Sequence, residues 1–372
     1  MLGTTLPTPL YGLYRERIGF SELIVTVVFA VYAVGVITAL LVAGGFSDVL
    51  GRRPVLLSAL GLSALSALCF LFEGGLPWLY AGRVLSGFSA GLLSGTATAT
   101  VLDLAPPGRR ARAGLAATAA NMGGLGLGPL LSGVLAQYAP RPLELPFLVH
   151  LALLAVAVAV TCLLPETVRH AGPRPPLRPQ GMTVPPEVRD VFPSSALAAF
   201  AGFSLLGLFT AVAPAFLAQT LAERNLAVVG AVVFCVFCAS TCGQLLMGRV
   251  GARRALPWGC LVLVVGLLLV GASLLLASLP VLLAGAATGG VGQGMAFRAG
   301  LTEVSAAAPQ EHRSATISAF FVAAYVGISL PVVGVGALAV TLGVRDAGLV
   351  FACCAVLLVA GVGIRVGRRQ AG

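Results

Sequence analysis

The sequence predicts an all-α polytopic membrane protein made of two helical bundles, and three observations predict it. The 372 residues are 58% hydrophobic and only 10% charged, with a mean hydropathy of +1.00, whereas soluble domains carry roughly 25% charged residues. Eleven apolar runs reach the length of about 20 residues that a helix needs to cross a bilayer. A polar, proline-rich stretch from Pro165 to Pro193 parts them into two sets, residues 1–164 and 194–372, whose motifs echo one another at a spacing of about two hundred residues.

In chain order, the opening Met1 to Leu13 carries Pro7 and Pro9 and runs directly into Tyr14-Arg15-Glu16-Arg17. That is too short to span, and it lacks the basic start and cleavage site of a signal peptide. It reads as the outer end of a helix whose beginning lies upstream. Complete spans are expected from Glu22 to Gly45, Pro54 to Phe72, Pro77 to Leu102, Ala113 to Tyr138 and Pro146 to Leu164. After the linker they continue from Ala196 to Leu221, Ala227 to Gly248, Ala255 to Leu276, Val281 to Ala307, Ser314 to Leu342 and Ala347 to Ile364. All 23 basic residues are arginine. Sixteen lie in one set of alternate connectors, five in the other, and Arg83 and Arg298 lie inside spans. An excess of that size places the richer set and the C-terminus in the cytoplasm.

The net charge of +10 does not point to nucleic acid, because it is spread over short connectors and not gathered on one face. The eight cysteines all fall inside apolar runs, where they serve as small packing residues, and a disulfide framework would need them in the outer connectors. His150, His170 and His312 are too scattered for a metal cluster. No metal and no cofactor is expected.

Gly44-Gly45-Phe46-Ser47-Asp48-Val49-Leu50-Gly51-Arg52-Arg53 joins two spans through a turn that holds an acid and two arginines at the bilayer surface. Poorly screened there, such charges can latch the helix ends they join. This pattern closely resembles the loop between the second and third helices of major facilitator superfamily transporters, except that Val49 stands where the family has a basic residue. The resemblance implies two six-helix bundles, here with the first helix incomplete, and Leu-Pro-Thr-Pro-Leu-Tyr is similar to the outer end of that helix. It also implies a gate on the cytoplasmic side formed by Asp48, Gly51, Arg52, Arg53 and Asp103, the acid that closes a later span. The second half repeats the turn from Gln244 to Arg254, with Gly251 matching Gly51 and Gly248 in place of Asp48, and Glu303 to Arg313 weakly echoes Asp103.

The stretch Arg83-Val-Leu-Ser86-Gly87 resembles the family's fourth-helix motif, whose arginine is linked to proton movement. An arginine at that depth calls for a partner or a hydrated cavity, with Glu22 and Glu73 as candidate partners, or else it snorkels to the outer interface. No carboxylate lies at mid-depth in a complete span, so a proton site there is Glu22, or in the upstream part of the first helix, or absent; proton coupling, with Arg83 and Glu22 as its candidates, is what the resemblance implies. Gly124, Gly126, Gly128, Pro129 and Gly133 resemble the fifth-helix motif of the family's exporters, where it packs the halves together and limits leakage; glycines four apart also serve ordinary close helix packing. Polar residues expected to line the cavity are Asn121, Thr210, Gln293 and Tyr325, with Gln244 and Arg298 nearer the cytoplasm, although each can equally bond a neighbouring helix. Phe203, Phe209, Phe216, Phe320 and Phe321 make the rest of that surface apolar. The resulting expectation is a monomeric, multi-pass plasma-membrane transporter in the lipid bilayer, exporting a small lipophilic or amphipathic compound against proton entry. Import or facilitated passage of a metabolite such as a sugar, and a truncated, non-transporting membrane protein, are the alternatives. No Ser/His/acid or paired-acid arrangement supports an enzyme.

Overall fold

In the computed structural model, which describes residues 1–72, 74–106, 108–168 and 181–371, every regular element is helical. The opening is a broken helix: α1 (Leu2–Thr5), a 3-10 turn (Thr8–Leu10) and α2 (Tyr11–Ile18). Pro7 and Pro9 supply no N–H to the helical ladder, which is why it is interrupted there. Then come α3 (Glu22–Ala43), the short α4 (Phe46–Leu50), α5 (Arg52–Leu71), α6 (Leu76–Asp103), α7 (Arg110–Tyr138) and α8 (Leu145–Leu163). The second half holds α9 (Phe192–Gly207), a π-turn (Leu208–Val212) running into α10 (Ala213–Thr220), α11 (Leu226–Val250), α12 (Ala252–Leu276), α13 (Leu279–Ala307), α14 (Arg313–Leu342) and α15 (Val344–Ala371).

Ten of these helical segments are long and apolar enough to cross a membrane, with α9 to α10 counted as one. The eleventh expected span, α13, has 29 residues and carries six glycines, Gln293 and Arg298. All eleven expected spans are thus helices. Two boundaries differ. Pro193 sits in the first turn of α9, where its missing N–H costs no hydrogen bond, so the helix begins inside the expected linker. α15 runs past Ile364 to Ala371 and carries Arg365, Arg368 and Arg369 on one continuous helix.

In the first half α6 packs against α3 and α5, and α8 against α5; in the second, α13 packs against α11 and α12, and α14 against α9. The halves meet where α7 crosses α11 and α3 crosses α14. Small residues set the closeness of these crossings. A Cβ on Gly87 would strike the backbone of Tyr32 and Gly35, and one on Gly292 the backbone of Leu263. Phe29 and Ala33 of α3 join the buried core of the second half, so the two bundles share apolar contact.

That seam is not equally tight along its length. Towards the arginine-poor face, Gly128, Gly133 and Gly230 have no room for a Cβ. Towards the arginine-rich face, Gly123 and Gly248 face open space and Cys242, Leu245 and Leu246 are exposed. A groove lined by Thr302, Ser305, Arg313 and Ile317 opens on that same face. The seam is therefore sealed at the arginine-poor face and less closely packed towards the arginine-rich one.

Candidate functional site

Three places in this framework gather the polar groups. The first is the turn before α5. Gly51 has φ 104°, a left-handed value that glycine adopts without strain, and the turn brings Arg52 back over α4. Its Nη1 lies 2.6 Å from Asp48 Oδ1 and donates to Ser47 Oγ at 2.7 Å, while Nε donates to Asp103 Oδ2 at 3.1 Å. The Arg52 side chain is 14% exposed and that of Asp48 64%, so the arginine is fixed while the acid still faces solvent. The sequence reading did not pick out Glu166. Its Oε1 accepts the backbone N–H of Arg52 at 2.9 Å and its Oε2 that of Arg53 at 3.0 Å, capping the N-terminus of α5 from 114 residues away. A Cβ on Gly51 would lie 2.6 Å from Glu166 Oε2, a second reason for glycine there. Burial pushes the Glu166 carboxyl upward, but N–H donors from Val168, Arg52, Arg53 and Thr167 outweigh it and hold the group below its usual range. The only sequence signal for this residue was an acid standing directly after an apolar run. Arg53 enters through its backbone, and every group in the cluster belongs to the first half or to the start of the linker.

The second place is the seam at the arginine-poor face. Pro129 supplies no N–H to the carbonyl of Leu125, and the Thr5 hydroxyl donates to that carbonyl instead, at 2.6 Å. Gly124 and Gly128 leave space for the opening segment, a Cβ on either meeting Met1, Leu2 or Thr5. Gly133 lies against the backbone of Leu226 and Gly230 against that of Pro129, so the glycine-proline stretch of α7 seats both the opening segment and α11. Polar residues close the end of the crossing. Gln137 Oε1 accepts the Leu226 N–H at 2.9 Å, and Asn225, which also caps α11, donates to Tyr138 Oη at 3.2 Å. Across the other crossing, Gln219 Nε2 donates to Glu22 Oε1 at 2.6 Å, and Arg15 pairs with the same carboxylate.

The third place is Arg83, which is 1% exposed and does not snorkel. Its Nη1 donates to the Thr4 carbonyl at 2.6 Å and its Nη2 to the Phe29 carbonyl at 3.3 Å. The guanidinium carbon lies 5.2 Å from the Phe29 ring centre and 4.9 Å from that of Tyr32. Among the described residues no carboxylate pairs with it. Glu22 does not meet Arg83, because its carboxylate is engaged by Arg15 and Gln219; Glu73 lies outside the described residues.

Of the two readings open for the expected lining residues, the hydrogen bonds to neighbouring groups are the ones seen. Thr210 is fully buried and its hydroxyl bonds the Leu206 and Gly207 carbonyls at the end of α9. Gln293 is buried and accepts from Ser240 at 2.6 Å, tying α13 to α11. Arg298 donates to the Gln244 carbonyl at 2.9 Å. In each case a neighbouring backbone or side chain satisfies the polar group, as packing inside a bundle favours. Phe209, Phe216 and Phe320 belong to the second-half core. One candidate does lie between the halves: Tyr325 meets Tyr32 edge-on, with ring centres 6.4 Å apart. Asn121 Oδ1 is a buried acceptor without a partner among the described residues.

Comparison with known proteins bears on what this arrangement does. The model of the Major Facilitator Superfamily matches residues 1–330. The chain is 32% identical over 180 residues to the class C tetracycline resistance protein of Escherichia coli, a match covering 47% of this chain and 43% of that relative; it spans less than half the length of the curated relatives it matches. A crystal structure of a bacterial homolog of the human lysosomal transporter Spinster, inward-facing and unoccupied, is similar with a TM-score of 0.75 at 15% identity, covering 98% of this chain and 93% of that one. A POT family transporter in complex with 5-aminolevulinic acid gives 0.78 at 12% identity, covering 99% and 93%. At these identities the likeness shows the fold.

Proposed function

Because the chain belongs to the Major Facilitator Superfamily, and so is a membrane transporter of a small molecule and not an enzyme, we propose that it exports a small lipophilic or amphipathic organic compound in exchange for protons. The observation that carries export is the glycine-proline stretch of α7, seated against both the opening segment and α11. It seals the crossing at the face that we take as external, from the arginine bias, and its residues resemble the exporters' motif. Kinship to a tetracycline resistance protein supports the same reading. The exporting step is a rocking of the two halves about the α7–α11 and α3–α14 crossings.

In this reading Arg52, with Asp48, Asp103 and Glu166, holds α4, α5, α6 and the start of the linker as one unit at the cytoplasmic end. Asp48 is the exposed member, and it meets the second half when that end closes. Exposed ion pairs are worth about 0.2 to 1 kcal/mol each, enough to bias two states of similar energy without locking either. Glu22 acts at the opposite end. Its carboxylate meets Gln219 of the second half as well as Arg15 of its own, so removing its charge loosens that face. Such a residue gates; carrying a proton through requires a group exposed in turn to both sides. Proton exchange therefore rests on the resemblance of the Arg83 stretch and on the kinship.

Everted membrane vesicles decide both parts. Lipophilic and amphipathic test compounds are expected to accumulate inside when the interior is acidified, and an uncoupler should abolish this. Accumulation only in right-side-out vesicles would overturn export, and accumulation indifferent to the pH gradient would overturn proton exchange.

A further inference from the structure

We infer that Arg83, Tyr11 and Ser86 form a buried site for a compact monovalent anion, either chloride or the carboxylate of the transported molecule. The starting point is a set of unused donors. Arg83 Nε, Tyr11 Oη and Ser86 Oγ are buried and have no hydrogen-bond partner, and their residues are each no more than 2% exposed. Buried polar groups in folded proteins are very largely paired, so three orphans in one neighbourhood need an occupant.

The helix directions bring the three together. α2 and α6 run in opposite senses, and helical side chains lean towards the N-terminus of their own helix. Tyr11 therefore leans inward, towards the part of the opening segment where the Thr4 carbonyl accepts from Arg83. Ser86 stands one turn beyond Arg83 on the same strip of α6, about 5 to 6 Å away between Cβ atoms, and leans back towards it.

The charge of the occupant follows from what is already present. An arginine stays protonated in a protein, and among the described residues only neutral carbonyls and the faces of Phe29 and Tyr32 answer its charge. A buried charge without a counter-charge is strongly unfavourable. One positive charge and three free donors, one N–H and two hydroxyls, suit a small anion. A water molecule would fill the donors and leave the charge unanswered. Tyr32 stands between this place and Tyr325 of the second half, so a transported carboxylate reaches it only when that ring moves aside. The carboxylate source deepens the export reading and rests on it; the chloride source does not.

The test is thermal unfolding of the full chain in phosphatidylcholine nanodiscs, titrated with sodium chloride or sodium benzoate, with sodium sulfate matching ionic strength. The melting temperature should rise saturably with chloride, with benzoate, or with both. Chloride alone assigns a resident inorganic ion, and benzoate assigns the carboxylate of the cargo. Y11F/S86A should weaken the anion about tenfold, as expected for losing hydrogen bonds to a charged group, and R83Q should abolish the effect. Should R83Q fail to fold, Y11F/S86A still decides. If the orphans simply lack partners, that double variant is instead more stable at every salt concentration, which would overturn the site, as would a salt response identical in wild type and variant. The vesicle measurement of export is independent of either result.

Discussion

At the scale of single residues, Glu166 is the most exacting test of the arginine-rich face. E166A should leave the first N–H groups of α5 uncapped and lower stability by about 1 kcal/mol, whereas E166Q, retaining one acceptor, should lose less; thermal unfolding in detergent separates the two. The pH dependence has a definite sign. Because the folded carboxyl is held below its ordinary value of 4.5, its contribution is complete above that value and is lost as pH falls through the lower, folded one. E166Q should flatten this acid limb. Of the acids on Arg52, D103N should cost more stability than D48N, since Asp48 is the more exposed partner; D48N should instead change how often the arginine-rich face closes. Asp48, Arg52 and Asp103 were legible in the sequence because they stand out as charges at the ends of apolar runs. Glu166 looked no different from other connector charges, since its partners are backbone groups over a hundred residues away.

Among the helices, the crossing of α7 and α11 leaves least room for change. Gly230→Leu places a side chain against the carbonyl of Pro129, and overpacking of this kind costs about 1 to 3 kcal/mol. The expected result is a folded protein whose halves no longer seat, detected as increased passive proton leak through reconstituted vesicles; G248L, facing open space, should not leak. T5V removes the hydroxyl that answers the Leu125 carbonyl and should cost about 1 kcal/mol. The helices and the glycine stretch could be read from hydropathy and spacing. The environment of polar residues within a helix could not: Thr210 and Gln293 have the same chemistry whether they face a cavity or a neighbour, and only the rotation of each helix decides between Ser240 and open space.

For the whole molecule, the decisive quantity is the balance between the state described here and one open on the other face. E22Q and Q219A each weaken a bond made only while the arginine-poor face is closed. Each should move the population two- to fivefold towards the alternative, matching roughly 0.5 to 1 kcal/mol; distances between spin labels across the two faces report it. A last consequence concerns how the protein is made. α13 lies at the centre of the second half, its glycines pressed against α11 and α12, and it carries Gln293 and Arg298 within its length. An arginine inside a span opposes its insertion into lipid. Its entry during synthesis should therefore depend on α12, already in place, and α14, following, so that truncating the chain after Ala307 leaves a segment that slips back out of the bilayer.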